Sequence, residues 1–207
     1  GANSDNRCDE FMKDGIPCSA WRDSFKSVFG VAPSDAYAEI AKCFGTGLIL
    51  ESATWRASAD WGKKLGYTPA ELADANRRAI HLLEELRSEY EAGQMPIVIS
   101  GCIGPRGDGY VPDRAMSAHE AEAYHREQVE TLAGSAADMV CAITMNYVEE
   151  AIGIARAAQR AHMPVAISFT VETDGTLPTG QPLKGAIEEV DDATSGYPSY
   201  YMINCAH

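Results

Sequence analysis

The stretch Asp138-Met139-Val140-Cys141-Ala142-Ile143-Thr144 is a run of apolar residues that opens on an acid and closes on a hydroxyl side chain. Similar short runs lie at residues 48–51, 96–100, 164–170 and 200–204. They are largely apolar rather than alternating, which is typical of strands with both faces buried in a parallel sheet. The sequence therefore predicts five strands of a parallel sheet.

Predicted helices separate these strands. Thr68-Pro69-Ala70-Glu71 and Ser117-Ala118-His119-Glu120 are capping sequences, and they open helices that reach about residues 92 and 133. Further helices are predicted at residues 34–44, 147–161 and 182–193. Strands that alternate with helices fit either a doubly wound open sheet or a (β/α)8 barrel.

Two observations favour the barrel. No glycine-rich phosphate-binding fingerprint follows any strand, which counts against a nucleotide-binding open sheet. Polar residues instead follow the strands, as on the carboxyl face of a barrel: Glu51, Ser100, Thr144, Asn146, Thr170, Asn204 and Cys205. The predicted fold class is α/β, and these residues alone leave the choice between an open sheet and a barrel open.

Composition limits the function classes. The chain has 207 residues and a formal net charge of −13, which argues against nucleic acid or an anionic membrane as a partner. No apolar run is long enough for a membrane span and no signal peptide is visible, so we expect a cytoplasmic protein. The cysteines lack a CxxC pair, and Cys43, Cys102 and Cys141 are predicted to be small core residues. The histidines are read as surface or core residues rather than ligands: His81, His119, His125 and His162.

Several loops together resemble the homocysteine S-methyltransferase family. The matching pieces, in order, are Gly101-Cys102-Ile103-Gly104-Pro105, Ser168-Phe169-Thr170, Gly175-Thr176-Leu177, Gly180-Gln181-Pro182-Leu183 and Asn204-Cys205. Their order and spacing match that family over about residues 30–207. The resemblance implies an α/β fold of the (β/α)8 TIM-barrel type that is incomplete: the five strands are about the second to the sixth of the barrel, and the last two βα units are absent. Residues 1–207 are then predicted to form one partial domain, in which residues 1–30 match poorly.

The resemblance implies a barrel in which three cysteine thiolates hold zinc. One thiolate comes from an Asn-Cys motif after the sixth strand, and Cys205 matches it as the catalytic and metal-ligand candidate. The other two form a vicinal pair after the eighth strand, which would lie beyond His207, so this chain is expected to be truncated and inactive as it stands. Three sulfur ligands leave one zinc position open, where a substrate thiol would lose its proton.

The implied reaction transfers a methyl group from an activated donor to homocysteine or a similar thiol, giving methionine. The substrate-binding candidates are Glu51, Ser100, Gly101, Asn146, Thr170 and Asn204. The family's amino-acid-binding glutamate falls near Asn146, and a neutral amide binds an ammonium less strongly than a carboxylate does. Either the acceptor differs from homocysteine or another acid such as Glu51 takes the ammonium. The family's first-strand acidic motif falls at Ser4-Asp5-Asn6, one position out of place.

Alternatives remain open at this point. The chain could be a shortened, non-catalytic relative that binds a small molecule, or whose open sheet edges pair two copies into a homodimer. An unrelated open-sheet hydrolase or reductase is disfavoured, because the nucleophile elbow and the dinucleotide fingerprint are both missing. Trp55 and Arg56, just after the Glu51 strand, either line the pocket or pack within their loop.

Overall fold

The structure, a computed structural model, describes residues 33–91, 95–107, 109 and 115–205. Its elements, in chain order, are α1 Pro33–Phe44, β1 Leu48–Glu51, α2 Ala59–Leu65, α3 Pro69–Glu91, β2 Ile97–Ile103, α4 Ala118–Ala133, β3 Met139–Met145, α5 Val148–Arg160, β4 Val165–Thr170, α6 Leu183–Thr194 and β5 Tyr200–Asn204. The first-strand motif near Asp5 and the terminal His207 lie outside the described residues.

The five strands form one parallel sheet in the order β1-β2-β3-β4-β5. Each strand pairs with its sequence neighbour, and helices connect consecutive strands, which is the arrangement of a (β/α)8 barrel. The hydroxyl of Tyr200 on β5 reaches across β4 to 4.0 Å from the sulfur of Met139 on β3, so these two side chains lie on the same face of the sheet. The prediction of an α/β, incomplete barrel is confirmed.

The two faces of the sheet carry different cores. The outer face packs against the helices through a large cluster that includes Ile99, Val140, Ile167 and Phe169. The inner face carries a smaller cluster: Met139, Cys141 and Ala166, with Val98, Ile143 and Met202 packed against them. Because side chains alternate along a strand, this inner face also receives the polar candidates of β1, β2 and β5.

Both predicted capping sequences form. Ser117 and Glu120 make a reciprocal capping box at the start of α4. At the start of α3 the Glu71 carboxylate accepts from the backbone N–H of Thr68 at 2.8 Å, and the Thr68 hydroxyl accepts from the N–H of Glu71 at 3.3 Å. These bonds satisfy N–H groups that a helix start leaves without an intrahelical partner.

Two sequence expectations need correction, and one helix was missed. Cys43 is exposed rather than buried, whereas Cys102 and Cys141 are buried as predicted. The strand predicted to end at residue 100 continues to Ile103, because Gly101 packs against α4: a Cβ there would lie 2.8 Å from Leu132. The helix α2 was not predicted, since seven residues are too few to show a helical period. No described helix is both long and apolar enough to cross a membrane.

Candidate active site at the carboxyl end of the strands

Asn204, the last residue of β5, joins three strand ends through its side-chain amide. Its Oδ1 accepts from the Ser168 hydroxyl at 2.7 Å and from the backbone N–H of Thr144 at 3.2 Å. Its Nδ2 donates to the Thr170 hydroxyl at 3.3 Å and to the Cys205 sulfur at 3.2 Å. The amide thus fixes the position of the Cys205 thiol relative to β3 and β4.

Two non-glycine residues at this site adopt left-handed backbone conformations. Cys205 has φ 53° and Thr144 has φ 69°. A β-branched residue at positive φ is an outlier, and such strain costs about 1–3 kcal/mol and concentrates at functional sites. Thr144 is held there from both sides, by Asn204 and by the indole of Trp55, whose Nε1 donates to the Thr144 hydroxyl at 3.0 Å.

Trp55 belongs to the loop after β1, and buried polar contacts fix that loop. The Gln128 amide of α4 donates to the carbonyl of Thr54 at 3.1 Å, and the Asn76 amide of α3 donates to the carbonyl of Ala57 at 3.0 Å. A Cβ at Gly104 would lie 2.3 Å from the carbonyl of Trp55, so only glycine allows the loop after β2 to approach this closely. Trp55 therefore contacts both Thr144 and the loop after β2, and the lining of a substrate pocket by Trp55 or Arg56 stays a prediction.

A buried hydrogen-bonded pair of side chains supports the loop after β2. Glu150, in the first turn of α5, uses Oε1 to accept from His125 Nε2 at 2.8 Å and from the backbone N–H of Arg106 at 2.7 Å. Both side chains of the pair are fully buried. The Arg106 side chain in turn pairs with Asp60 of α2 at 2.8 Å. This network places the loop that carries Gly104, and it confirms that His125 is a core residue.

Glu51 lies at the end of β1, on the inner face of the sheet. Its carboxylate accepts from the Ser100 hydroxyl at 3.1 Å, and Ser100 is its register partner on β2. Although much of the residue is accessible to solvent, the carboxylate lies against β2 and β3, and this partial desolvation raises its pKa, while bonds from Ser100 and Cys141 lower it. Burial, and secondarily the charge of Glu51, raises the pKa of the Cys102 and Cys141 thiols, which keeps both neutral.

The fold and these contacts can now be compared with known proteins. The sequence profile of the homocysteine S-methyltransferase family matches residues 40–207. The chain belongs to the homocysteine S-methyltransferase family. A maize relative, homocysteine S-methyltransferase 4, is 24% identical over 153 residues, which cover 65% of this chain and 45% of the maize protein.

Solved structures of one family member share the fold. The homocysteine methyltransferase MmuM from Escherichia coli, in its metallated form, superposes with a TM-score of 0.67 at 24% identity, covering 76% of this chain and 57% of MmuM. Its oxidised form gives a TM-score of 0.68 at 22% identity, covering 90% of this chain and 66% of MmuM. The chain therefore spans between about half and two thirds of the length of these relatives.

Zinc, which the family resemblance implies, does not fit the described residues on their own. In the part of the chain that the structure describes, no three His, Cys, Asp or Glu side chains are grouped as metal ligands. Cys102 and Cys141 are kept neutral inside the sheet, whereas a zinc ligand must be a thiolate. Cys205 is the remaining thiol at the strand ends, and one sulfur does not make a tetrahedral site.

The structure brings most of the predicted site residues together, but in two groups. Asn204, Cys205 and Thr170 form one group at the ends of β4 and β5, and Glu51 with Ser100 forms the other on β1 and β2. Asn146 is buried directly after β3. A Cβ at Gly101 would point toward α4, so the packing of that helix explains why the residue is glycine. A role of Gly101 in substrate binding stays a prediction.

Two functional contacts were missed from sequence. Ser168 bonds Asn204 directly, and the signal was present: a hydroxyl in an otherwise apolar strand must find a hydrogen-bond partner. The pair of His125 with Glu150 joins residues 25 positions apart on neighbouring helices, and no local pattern reveals it.

Proposed function

We propose that this protein takes part in transfer of a methyl group to the thiol of homocysteine or a similar thiol, which would yield methionine. Family membership supports the reaction class. The observation that carries the proposal is the Asn204–Cys205 pair, a sulfur held by an amide that itself contacts β3 and β4. Active sites of TIM-barrel enzymes lie at this end of the strands, and a cysteine thiolate is a soft ligand that suits zinc.

The described residues have distinct tasks in this proposal. Asn204 orients the Cys205 thiol, and the Ser168 and Thr170 hydroxyls fix the rotamer of Asn204. Trp55 covers the adjacent Thr144 and forms one wall of the site. Cys205 is the one zinc donor that these residues would contribute. No reaction step is assigned to the metal here, since the remaining ligands would come from residues outside the described set.

The test measures zinc content and homocysteine-dependent methyl transfer for the protein at the length its gene encodes, with sulfonium, betaine-type and corrinoid methyl donors assayed in parallel. We expect one zinc per chain and formation of methionine with one donor class. A protein that has neither zinc nor methyl transfer under any donor would contradict the proposal. A cytoplasmic location likewise stays a prediction.

A second candidate rests on exposed apolar side chains of the sheet. In the described part of the chain β1 and β5 are the outer strands, and each carries one: Ile49 is 51% and Ile203 is 56% exposed. Exposed apolar surface can mark a contact with another chain. We propose self-association through these side chains as the alternative, and light scattering tests it. A stable dimer would favour it, and a monodisperse monomer would exclude it.

A further inference from the structure

Glu150, in the first turn of α5, is a fully buried acid that binds the backbone of a loop at the candidate site. Its Oε1 accepts from the backbone N–H of Arg106, in the loop after β2, at 2.7 Å and lies 2.8 Å from Nε2 of His125. Burying a carboxyl group costs free energy unless it is hydrogen-bonded, whereas an apolar side chain of similar size has no such cost. The contact with the loop, rather than packing alone, therefore accounts for an acid at this position.

The start of α5 holds both ends of the connection between β2 and α4. Glu150 binds the N–H of Arg106 near the beginning of this connection, and the Tyr147 hydroxyl accepts from the backbone N–H of Met116 near its end, at 3.2 Å. The two ends also contact each other, because Nη1 of Arg106 lies 3.5 Å from the sulfur of Met116. The position of α5 therefore fixes the base of the connection.

The loop that Glu150 holds packs closely against Trp55. A Cβ on Gly104, two residues before Arg106, would lie 2.3 Å from the carbonyl oxygen of Trp55 and 2.9 Å from its indole. A Cβ on Gly109 would lie 3.2 Å from the same indole. Because close-packed groups cannot approach further, a displacement of this loop toward Trp55 must move the indole.

Trp55 in turn contacts the strand ends beside Cys205. Its Nε1 donates to the Thr144 hydroxyl at 3.0 Å. The backbone N–H of Thr144 donates to the side chain of Asn204, whose Nδ2 lies 3.2 Å from the Cys205 sulfur. Direct contacts therefore connect Glu150 with the Cys205 thiol by way of the loop after β2 and Trp55.

We propose that Glu150 is a positioning residue for the candidate site: the reach of its side chain sets the place of the loop after β2 and of Trp55, and methyl transfer depends on that placement. This inference rests on the proposed function for the reaction, but the placement of Trp55 can be tested separately. Reach matters more than charge, because the single atom Oε1 makes both contacts, with Arg106 and with His125.

The experiment compares Glu150→Asp with Glu150→Gln in the protein at the length its gene encodes. Aspartate keeps the charge but is one methylene shorter, so it should fall short of the Arg106 N–H. Glutamine keeps the length and the Oε1 acceptor and loses the charge. Val190→Ala is the control for general loss of packing, because Val190 is fully buried in α6. The environment of Trp55 is followed by fluorine NMR of protein labelled with fluorotryptophan, and Trp55→Phe identifies its resonance.

Glu150→Asp should displace the Trp55 resonance and lower kcat by up to about 100-fold with a smaller change in KM, since misplacing groups by about 1 Å has an effect of this size. The conservative variant Glu150→Gln and the control Val190→Ala should keep the wild-type resonance and keep kcat within about twofold. Gly104→Ala reaches the same contact from the loop and should displace the Trp55 resonance without a change in α5, so the coupling of loop and indole is tested even if Glu150→Asp does not fold.

The outcomes separate the two proposals. A wild-type Trp55 resonance in folded Glu150→Asp, or in Gly104→Ala, overturns the inference, whatever the methyl-transfer assay shows. A displacement that Glu150→Gln or Val190→Ala reproduces in full also overturns it, because loss of charge or of packing would then explain the effect. A displaced resonance with unchanged kcat overturns the dependence of the reaction on Glu150. If the resonance responds as expected but wild type transfers no methyl group from any donor, the placement of Trp55 by Glu150 stands and the proposed function alone fails.

Discussion

Replacing Asn204 by alanine should destabilise the protein, because two buried groups lose their acceptor. The Ser168 hydroxyl and the Thr144 N–H both bond Oδ1 of Asn204, and these two residues are 2% and 5% exposed. A buried polar group left without a partner costs about 1–3 kcal/mol. Asn204 itself is half-buried, so water can reach part of the space, and we expect a total loss of about 2–4 kcal/mol in the free energy of unfolding.

The assay is urea-induced unfolding followed by far-ultraviolet circular dichroism, with Asn204→Asp as the matched control. Aspartate keeps the acceptor oxygens for Ser168 and Thr144 and loses only the Nδ2 donors to Thr170 and Cys205. It should therefore lose less stability than alanine. If alanine changes the free energy of unfolding by less than about 0.5 kcal/mol, the range of ordinary surface substitutions, Asn204 does not hold these strand ends together.

Two further predictions concern stability. Gly153→Ala would place a Cβ 2.4 Å from the Cβ of Ala121 where α4 and α5 pack, so it should lower the free energy of unfolding by about 1–3 kcal/mol. Gly185→Ala in α6 meets open space and should raise that free energy by about 0.5–1 kcal/mol. Equal effects of the two variants in thermal unfolding would refute this prediction. Burial raises the pKa of Glu51 in the folded protein, so its ionisation disfavours folding. Glu51→Gln should therefore raise stability at neutral pH, and the gain should disappear as the pH falls below about 4.5, the ordinary pKa of the carboxyl; a gain that does not vary with pH would refute the desolvation argument.

Much of the fold could be predicted because its signals are local. The apolar runs of the parallel strands and the capping residues Thr68 with Glu71 and Ser117 with Glu120 lie within a few positions of one another. Their bonds form as expected. Strand order also follows, since consecutive strands joined by helices become neighbours in a barrel.

The errors came from residues whose role depends on distant partners. Cys43 lies in an apolar stretch, yet the structure exposes it together with Ile40 and Phe44, so hydrophobic neighbours in sequence did not imply burial. Gly101 was placed after the predicted strand, but it lies within β2, where a side chain would collide with Leu132. Local sequence does not contain such contacts.

The candidate site was predictable in part for the same reason. Asn204 and Cys205 could be selected because they follow a strand and match a family motif. The hydrogen bonds that define the site, from Ser168, Thr144 and Trp55, join three other chain segments and required the tertiary structure.

The central claim is that the Cys205 sulfur belongs to a methyl-transfer site, and Cys205→Ser tests it most directly, with Cys43→Ser as the control on an exposed cysteine. Homocysteine-dependent methyl transfer and zinc content are measured for both variants and for wild type, each at the length its gene encodes. We predict that Cys43→Ser keeps both and that Cys205→Ser loses methyl transfer and bound zinc while remaining folded. Full methyl transfer in Cys205→Ser would contradict the account.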